Sequence, residues 1–176
     1  MSDLAVRPAR LDDLDQIVAL RVALLREYHE HPLYTDLRDD APDRARSLYY
    51  TQLTAPDETI FLAERGGRIV GLLRCVDAPG SPLLLPERYC YVSSVYVVPA
   101  ERRRGVLRAL VAAAERWCAD RGLGEMRLHN AASAKTAADV WSAFGFEVVE
   151  EVRRRVLPGD RQLGRKPRTQ THAGAR

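Results

Sequence analysis

Polar and apolar positions along the chain fall into short blocks of alternating and helical period. Leu4–Arg7 is apolar-led and predicts a first strand. Behind Asp12, the residues Leu14, Ile17, Val18, Leu24 and Leu25 keep the spacing of one helix face, and Asp12 with Asp15 suits the positive end of that helix. From Glu27 to Asp43 the pattern breaks into a loop carrying His29, His31, Pro32 and the acids Asp36, Asp39 and Asp40. A short helix is predicted over 43–53. Thr59–Glu64 and Arg68–Val76 read as strands joined by Gly66-Gly67, a pair free to adopt the positive φ of a tight hairpin turn. Ala78–Pro86, with Pro79, Gly80 and Pro82, reads as a loop, and Tyr89–Val98 as a strand stopped by Pro99.

The strongest helical period follows Gly105. Leu107, Leu110, Val111, Ala114, Trp117 and Cys118 form one stripe, which predicts a helix with a single buried face. Gly122 and Gly124 end it. Met126–Asn130 predicts a strand and Ala134–Phe144 a helix, with Ala137, Ala138 and Trp141 on one face and Gly145 as its stop. Phe146–Val149 and Val152–Leu157 predict a final strand pair. Beyond Pro158 apolar residues nearly vanish, so the reading is one domain over 1–157 and a basic, disordered tail over 158–176. No internal repeat is present.

Composition narrows the classes. A chain of 176 residues, 46% hydrophobic and 29% charged, fits one ordinary globular domain. No apolar run reaches the ~18–20 residues of a membrane span, and Met1-Ser2-Asp3-Leu4 lacks a basic-then-apolar leader. Cys75, Cys90 and Cys118 are odd in number with no Cys-x-x-Cys pair, which argues for a reducing cytoplasm and against a disulfide framework or zinc site. The net charge of +3 misleads. Residues 158–176 hold five cations against Asp160, a local +4, so the body carries −1. Of 27 basic residues only Lys135 and Lys166 are lysines, a bias of coding that lowers the weight of any arginine run.

One run still carries chemistry. In Val97-Val98-Pro99-Ala100-Glu101-Arg102-Arg103-Arg104-Gly105-Val106-Leu107 a strand ends, a basic loop turns, and the long helix starts. The first amides of a helix lack intrahelical partners and sit at the positive dipole end, so such a terminus receives phosphate, above all where glycine lets the backbone approach. A solvated basic turn before a core helix fits the same residues. Nucleic-acid binding fits poorly, because no aromatic residues interleave the arginines and the body is slightly acidic.

The strand Val92–Val97, then Pro99, then Arg102-x-x-Gly105-x-Leu107, resembles the acetyl-CoA motif of the GNAT superfamily of acyl-CoA-dependent N-acetyltransferases. The order β, α, loop, hairpin, β, motif, α, β, α ending in Gly145-Phe146, β, β is similar to that family along nearly all of residues 4–157. The resemblance implies a single α/β domain with a mixed, splayed sheet flanked by helices. It implies acetyl-CoA as co-substrate, with the pantetheine arm along the backbone of Val95 and Val97. The pyrophosphate would lie over the amides of Arg103, Arg104, Gly105, Val106, Leu107 and Arg108, with Arg102 and Arg104 adding charge-assisted bonds.

The chain departs from the family pattern at four places. Leu107 stands where glycine or alanine is usual, and its spacing with Leu110 and Val111 turns it toward the core. Ala134 replaces a frequent asparagine. Trp141 replaces the tyrosine that protonates the departing CoA thiolate. Tyr91 and Ser93 stand where a glutamate base is common. The catalytic acid and base are therefore unassigned, with Glu30 and His129 as candidates for taking the amine proton. His29-x-His31 points to opposite sides of an extended chain with no third ligand nearby, so no metal is expected. The acids Asp36, Asp39 and Asp40 suit either a cationic acceptor or a solvated cluster. Cys90 reads as a buried inert thiol.

The functional expectation is an N-acetyltransferase acting in the cytoplasm on a primary amine of a small molecule or peptide, by direct attack in a ternary complex. A non-catalytic acyl-CoA-binding module of the same fold is the alternative. No membrane partner is expected, nucleic acid is disfavoured, and a homodimer stays open.

Overall fold

Consecutive residues Ile60, Phe61, Leu62 and Ala63 are all at most 7% exposed, so neither face of their strand meets solvent. Their sheet is covered on both sides. The computed structural model describes residues 3–130 and 135–157. Its strands are β1 (Leu4–Pro8), β2 (Glu58–Arg65), β3 (Arg68–Pro79), β4 (Arg88–Val97) and β5 (Met126–Leu128). Its helices are α1 (Leu14–Glu27), α2 (Ala41–Thr54), α3 (Val106–Asp120) and α4 (Lys135–Ala143). The strands lie in chain order, antiparallel except for the parallel β4–β5 pair. The α/β class and the mixed sheet agree with the sequence reading.

Side-chain alternation sorts the core. Phe61, Ala63, Val70 and Leu73 face α3, where they meet Val106 and Leu110. Ile60, Leu62 and Leu72 face α1 and α2, where they meet Ile17 and Tyr49. Each large side chain so buried contributes about 1.5–3 kcal/mol. Gly71 sets how closely α3 approaches. A Cβ there would lie 3.0 Å from the Tyr96 carbonyl oxygen, 3.1 Å from Val106 and 3.3 Å from Leu110, so any side chain would push β4 and the first turn of α3 outward by a few tenths of an ångström. At the far edge, Arg7 donates to both carboxylate oxygens of Asp13 at 2.8 Å and to Glu64 at 2.6 Å, locking β1, β2 and the entry to α1.

Several boundaries differ from the sequence reading. α2 begins at Ala41 rather than Asp43, because Pro42 falls in its first turn, where the missing N–H is harmless. β3 continues through Ala78 and Pro79, which pair with Tyr89 and Arg88. β5 stops at Leu128 instead of Asn130. On α3 the core position at the first turn belongs to Val106, while Leu107 and Trp117 are half-buried.

The predicted strand pair over 146–149 and 152–157 is absent. Adjacent Val148 and Val149 are 86% and 84% exposed, and the charged runs at 150–151 and 153–155 break any period of two. Arg154 instead donates to the Pro32 carbonyl at 2.7 Å, drawing the segment toward the loop after α1. The expectations for Ala134 and for the tail over 158–176 lie outside the described residues. Among the described residues no helix is long and apolar enough to cross a membrane.

Candidate functional site

β4 has a neighbour on both sides only at its start. Its parallel partner β5 pairs at Cys90, Tyr91 and Val92 and then stops, while β3 continues along the other side to Val97. From Ser93 onward one edge of β4 is open. Val98 donates to the Val70 carbonyl of β3 at 3.0 Å, so the alternate residue Val97 turns its backbone groups to the open side, and Val95 does the same two residues earlier. Ser94, at φ 52°, kinks the strand beside the opening, and the buried Tyr49 donates to its hydroxyl at 3.1 Å.

The open edge leads into the basic loop. Arg103 (φ 61°) and Gly105 (φ 83°) both take left-handed backbone, which folds the loop so that successive amides face outward. No backbone carbonyl among the described residues accepts from the amides of Arg103 through Arg108. The first bond of α3 runs from Ala109 to Gly105, at 3.0 Å. Gly105 caps α3 without a side-chain acceptor, and a Cβ there would meet no protein atom within 4 Å. Space over this terminus is open, as an anion site requires.

Two residues that sequence reasoning passed over hold the loop in shape. Arg65, at the end of β2, pairs with Glu101 and donates to the Arg104 carbonyl at 3.1 Å. That carbonyl is pulled inward while the neighbouring amides stay outward. Glu101 is the one acid in the basic run, which was the available signal; Arg65 gives none. Arg102 does not point freely at the loop's outer face. It donates to the Val97 carbonyl at 3.0 Å and to Glu27 of α1 at 2.6 Å, over the Tyr96 ring. Glu27 raises the Arg102 pKa.

Where β4 and β5 part, Tyr91 and His129 meet. The Tyr91 hydroxyl and His129 Nδ1 share a hydrogen bond of 2.8 Å, with the rings edge to face at 5.5 Å. Burial raises the Tyr91 pKa, so the phenol keeps its proton at neutral pH. Ser93 accepts from Arg74 at 3.0 Å, and Arg74 also donates to Glu58 at 2.7 Å, so the carboxylate nearest this stretch is held in an ion pair. A cavity of about 270 Å³ lies between α1, the 33–38 loop and α2, with Arg21, Tyr34 and Tyr49 on its wall.

The remaining candidates separate. His129 comes to the opening. Glu30 is exposed in the turn after α1 and is not part of the cavity wall. His29 bonds the Arg26 carbonyl at 2.9 Å, and His31 stacks on Tyr34 at 4.9 Å; both shape the turn. Among the described residues no group of three ligands could hold a metal ion. Asp40 is held to about 2 by Arg38 and Arg44, so it is a satisfied loop acid, while Asp36 lies on the cavity wall. The three cysteines are free and converge in the core. Cys75 pushes the Cys90 thiol far up, and burial pushes Cys118 up to about 12, which makes both inert. Trp141 packs edge to face on Phe146 at 5.3 Å and beside Phe144.

The chain matches the family model described as the acetyltransferase (GNAT) family over residues 20–146. It is 34% identical over 62 residues to aminoglycoside N(6')-acetyltransferase type 1 of Salmonella typhimurium and of Salmonella enteritidis, which is 35% of this chain and 43% of each relative's length. Among solved structures it superposes on a predicted acetyltransferase with acetyl-CoA from Clostridium acetobutylicum, with TM-score 0.71, 17% identity, and 88% and 96% of the two chains covered. It also superposes on AAC(6')-Iy in complex with the bisubstrate analogue CoA-S-monomethyl-acetylneamine, with TM-score 0.69, 25% identity, and 88% and 100% covered.

Proposed function

Because the chain belongs to the GNAT acetyltransferase family, we propose that it moves an acetyl group from acetyl-CoA to a primary amine of a small molecule or peptide, by direct attack. The observation that carries this reading is the continuity of two backbone surfaces outside the sheet and helix ladders, with Arg102 on the Val97 carbonyl at their junction. The open β4 edge at Val95 and Val97 runs into the free amides of residues 103–108. An extended pantetheine arm adds to the first as an extra strand would, and a pyrophosphate fits over the second. Arg103, Arg104 and Arg108 are exposed around those amides and supply charge. The thioester then lies where β4 and β5 part, beside Tyr91 and His129.

At that point the amine nitrogen attacks the thioester carbonyl carbon. The C–N bond forms, the tetrahedral intermediate collapses, and the C–S bond breaks with its electron pair on sulfur. With Nδ1 protonated and donating to the Tyr91 oxygen, His129 leaves Nε2 free to take the amine proton. The thiolate is a good leaving group and takes a proton from water. Trp141 offers only an indole N–H, too weak an acid for that step.

A module that binds acyl-CoA without turnover is the second reading, favoured by the tryptophan at position 141. Free CoA measured from acetyl-CoA over a panel of primary amines separates the two. Amine-dependent thiol release supports transfer, and tight binding with no release for any amine supports the module. In the first case His129→Asn lowers kcat by about 10²-fold or more while the CoA dissociation constant holds.

A further inference from the structure

The cavity between α1 and α2 has a chemistry of its own. Leu25, Leu33, Leu37 and Leu48 line it, and three of them are exposed, Leu33 at 58% and Leu48 at 53%. Two tyrosines complete the wall: Tyr34, and Tyr49, whose hydroxyl reaches β4 at Ser94. Three arginines also face it. Arg38 and Arg44 share Asp40, each at 2.8 Å, whereas Arg21 has no carboxylate partner among the described residues. Arg21 is half-buried on α1, and the wall is joined to β4 by the Tyr49–Ser94 hydrogen bond, three residues along the strand from Tyr91.

We propose that this cavity is the acceptor site and that it takes a small primary amine bearing both an apolar side chain and a carboxylate, with the carboxylate on Arg21 and the apolar group among the leucines. The inference rests on the acetyltransferase reading and specifies its substrate class. Three observations select that class. A volume of about 270 Å³ is just below the usual range of small-molecule pockets (roughly 300–1,000 Å³), which suits a single amino-acid-sized body better than a multi-ring sugar. The exposed leucines gain from an aliphatic or aromatic group and offer nothing to a hydroxyl-rich one. Of the acids, only Asp36 lies on the wall, against three guanidinium groups, which disfavours an acceptor carrying several ammonium groups.

The test compares leucine and phenylalanine with leucinamide, phenylalaninamide and neamine as acceptors, with acetyl-CoA and wild-type enzyme. The free acids are expected to exceed their amides in kcat/KM by about tenfold or more, the scale of one charge-assisted hydrogen bond. Neamine is expected to be the poorest. Arg21→Gln brings the acid-to-amide ratio close to one, and Arg21→Lys restores part of it. Titration of the CoA-loaded enzyme with N-acetylleucine and N-acetylleucinamide reads the same preference without turnover. Turnover with equal rates for acids and amides, or a preference for neamine, overturns the inference and leaves the transferase reading intact. Absence of turnover with every amine overturns the transferase reading. The titration then decides the site, and equal affinities for the two acetylated products overturn it too.

Discussion

The Arg102 guanidinium donates to Glu27 Oε2 at 2.6 Å, joining the amide-rich loop before α3 to the last turn of α1. The two halves of the proposed site thus share one ion pair. On one side lies the surface proposed for pyrophosphate, on the other the helix that carries Arg21 into the cavity proposed for the acceptor. Both partners are more than a third exposed, so the pair adds little to global stability, and its effect is on position.

Arg102→Ala is therefore expected to act on both substrates. Acetyl-CoA affinity falls by about 1–3 kcal/mol, the scale of charge-assisted bonds, and the acceptor KM rises as well. Glu27→Gln keeps a hydrogen-bond acceptor for Arg102 and leaves acetyl-CoA affinity within about twofold. Calorimetric titration and initial rates for the two variants read these effects. A loss confined to acetyl-CoA would show that the loop and α1 are uncoupled.

Gly105→Glu should abolish acetyl-CoA binding in a protein that still folds. The left-handed backbone at φ 83° strains any side chain by about 1–2 kcal/mol, well within the stability of a domain. Nothing in the protein lies within 4 Å of the added Cβ, so the obstruction falls on the ligand alone. Melting temperature and cofactor titration separate the two effects. A folded variant with wild-type affinity would remove the pyrophosphate from this terminus.

How much of this was legible follows from the range of each interaction. The Gly66-Gly67 hairpin and the stripe on α3 depend on near neighbours in sequence, and the structure reproduces both. The open edge of β4 was inferable only through resemblance, since nothing within residues 89–98 says where β5 stops. Gly71 looked like an ordinary strand glycine; its reason is a helix 35 residues later. Arg65 lay outside every motif because its partners are set by packing, and Arg21 because the cavity it lines is. The valines of 148–156 suggested strands by propensity, but adjacent apolar pairs and the charge runs between them give no face to bury.

The Arg7–Asp13 contact predicts an acid limit. Hydrogen bonds from Arg7 hold the Asp13 carboxyl below its ordinary range, so the folded state binds that proton less readily than the unfolded chain. The stabilisation is complete above the unfolded value near 3.9 and is lost as pH falls through the lower folded value. Asp13→Asn is expected to cost about 2–3 kcal/mol at neutral pH, because it leaves a half-buried guanidinium short of a charge partner. Denaturant midpoints between about pH 7 and pH 2 should converge for the two proteins at the acid end. Parallel curves would assign the acid loss to other carboxylates.

Trp141 gives the last test, since under the proposed mechanism it takes the place of an acid for the departing thiolate. Its indole packs edge to face on Phe146 at 5.3 Å, and its carbonyl accepts from the Phe146 amide at 3.1 Å, so it anchors the end of α4. The side chain thus packs as a wall, and the proposed mechanism leaves thiolate protonation to water. Trp141→Tyr introduces a phenol with a pKa near 10 at the cost of a smaller ring and a small cavity. With thiolate departure limiting, kcat rises, up to about 10²-fold, the lower end of general-acid catalysis. With another step limiting, kcat holds or falls slightly. Trp141→Phe carries the packing change without the acid and sets the baseline, so the ratio of tyrosine to phenylalanine variant isolates the proton. If both variants fold and bind CoA yet lose all turnover, the indole acts on the acceptor itself, and its description as a wall is wrong.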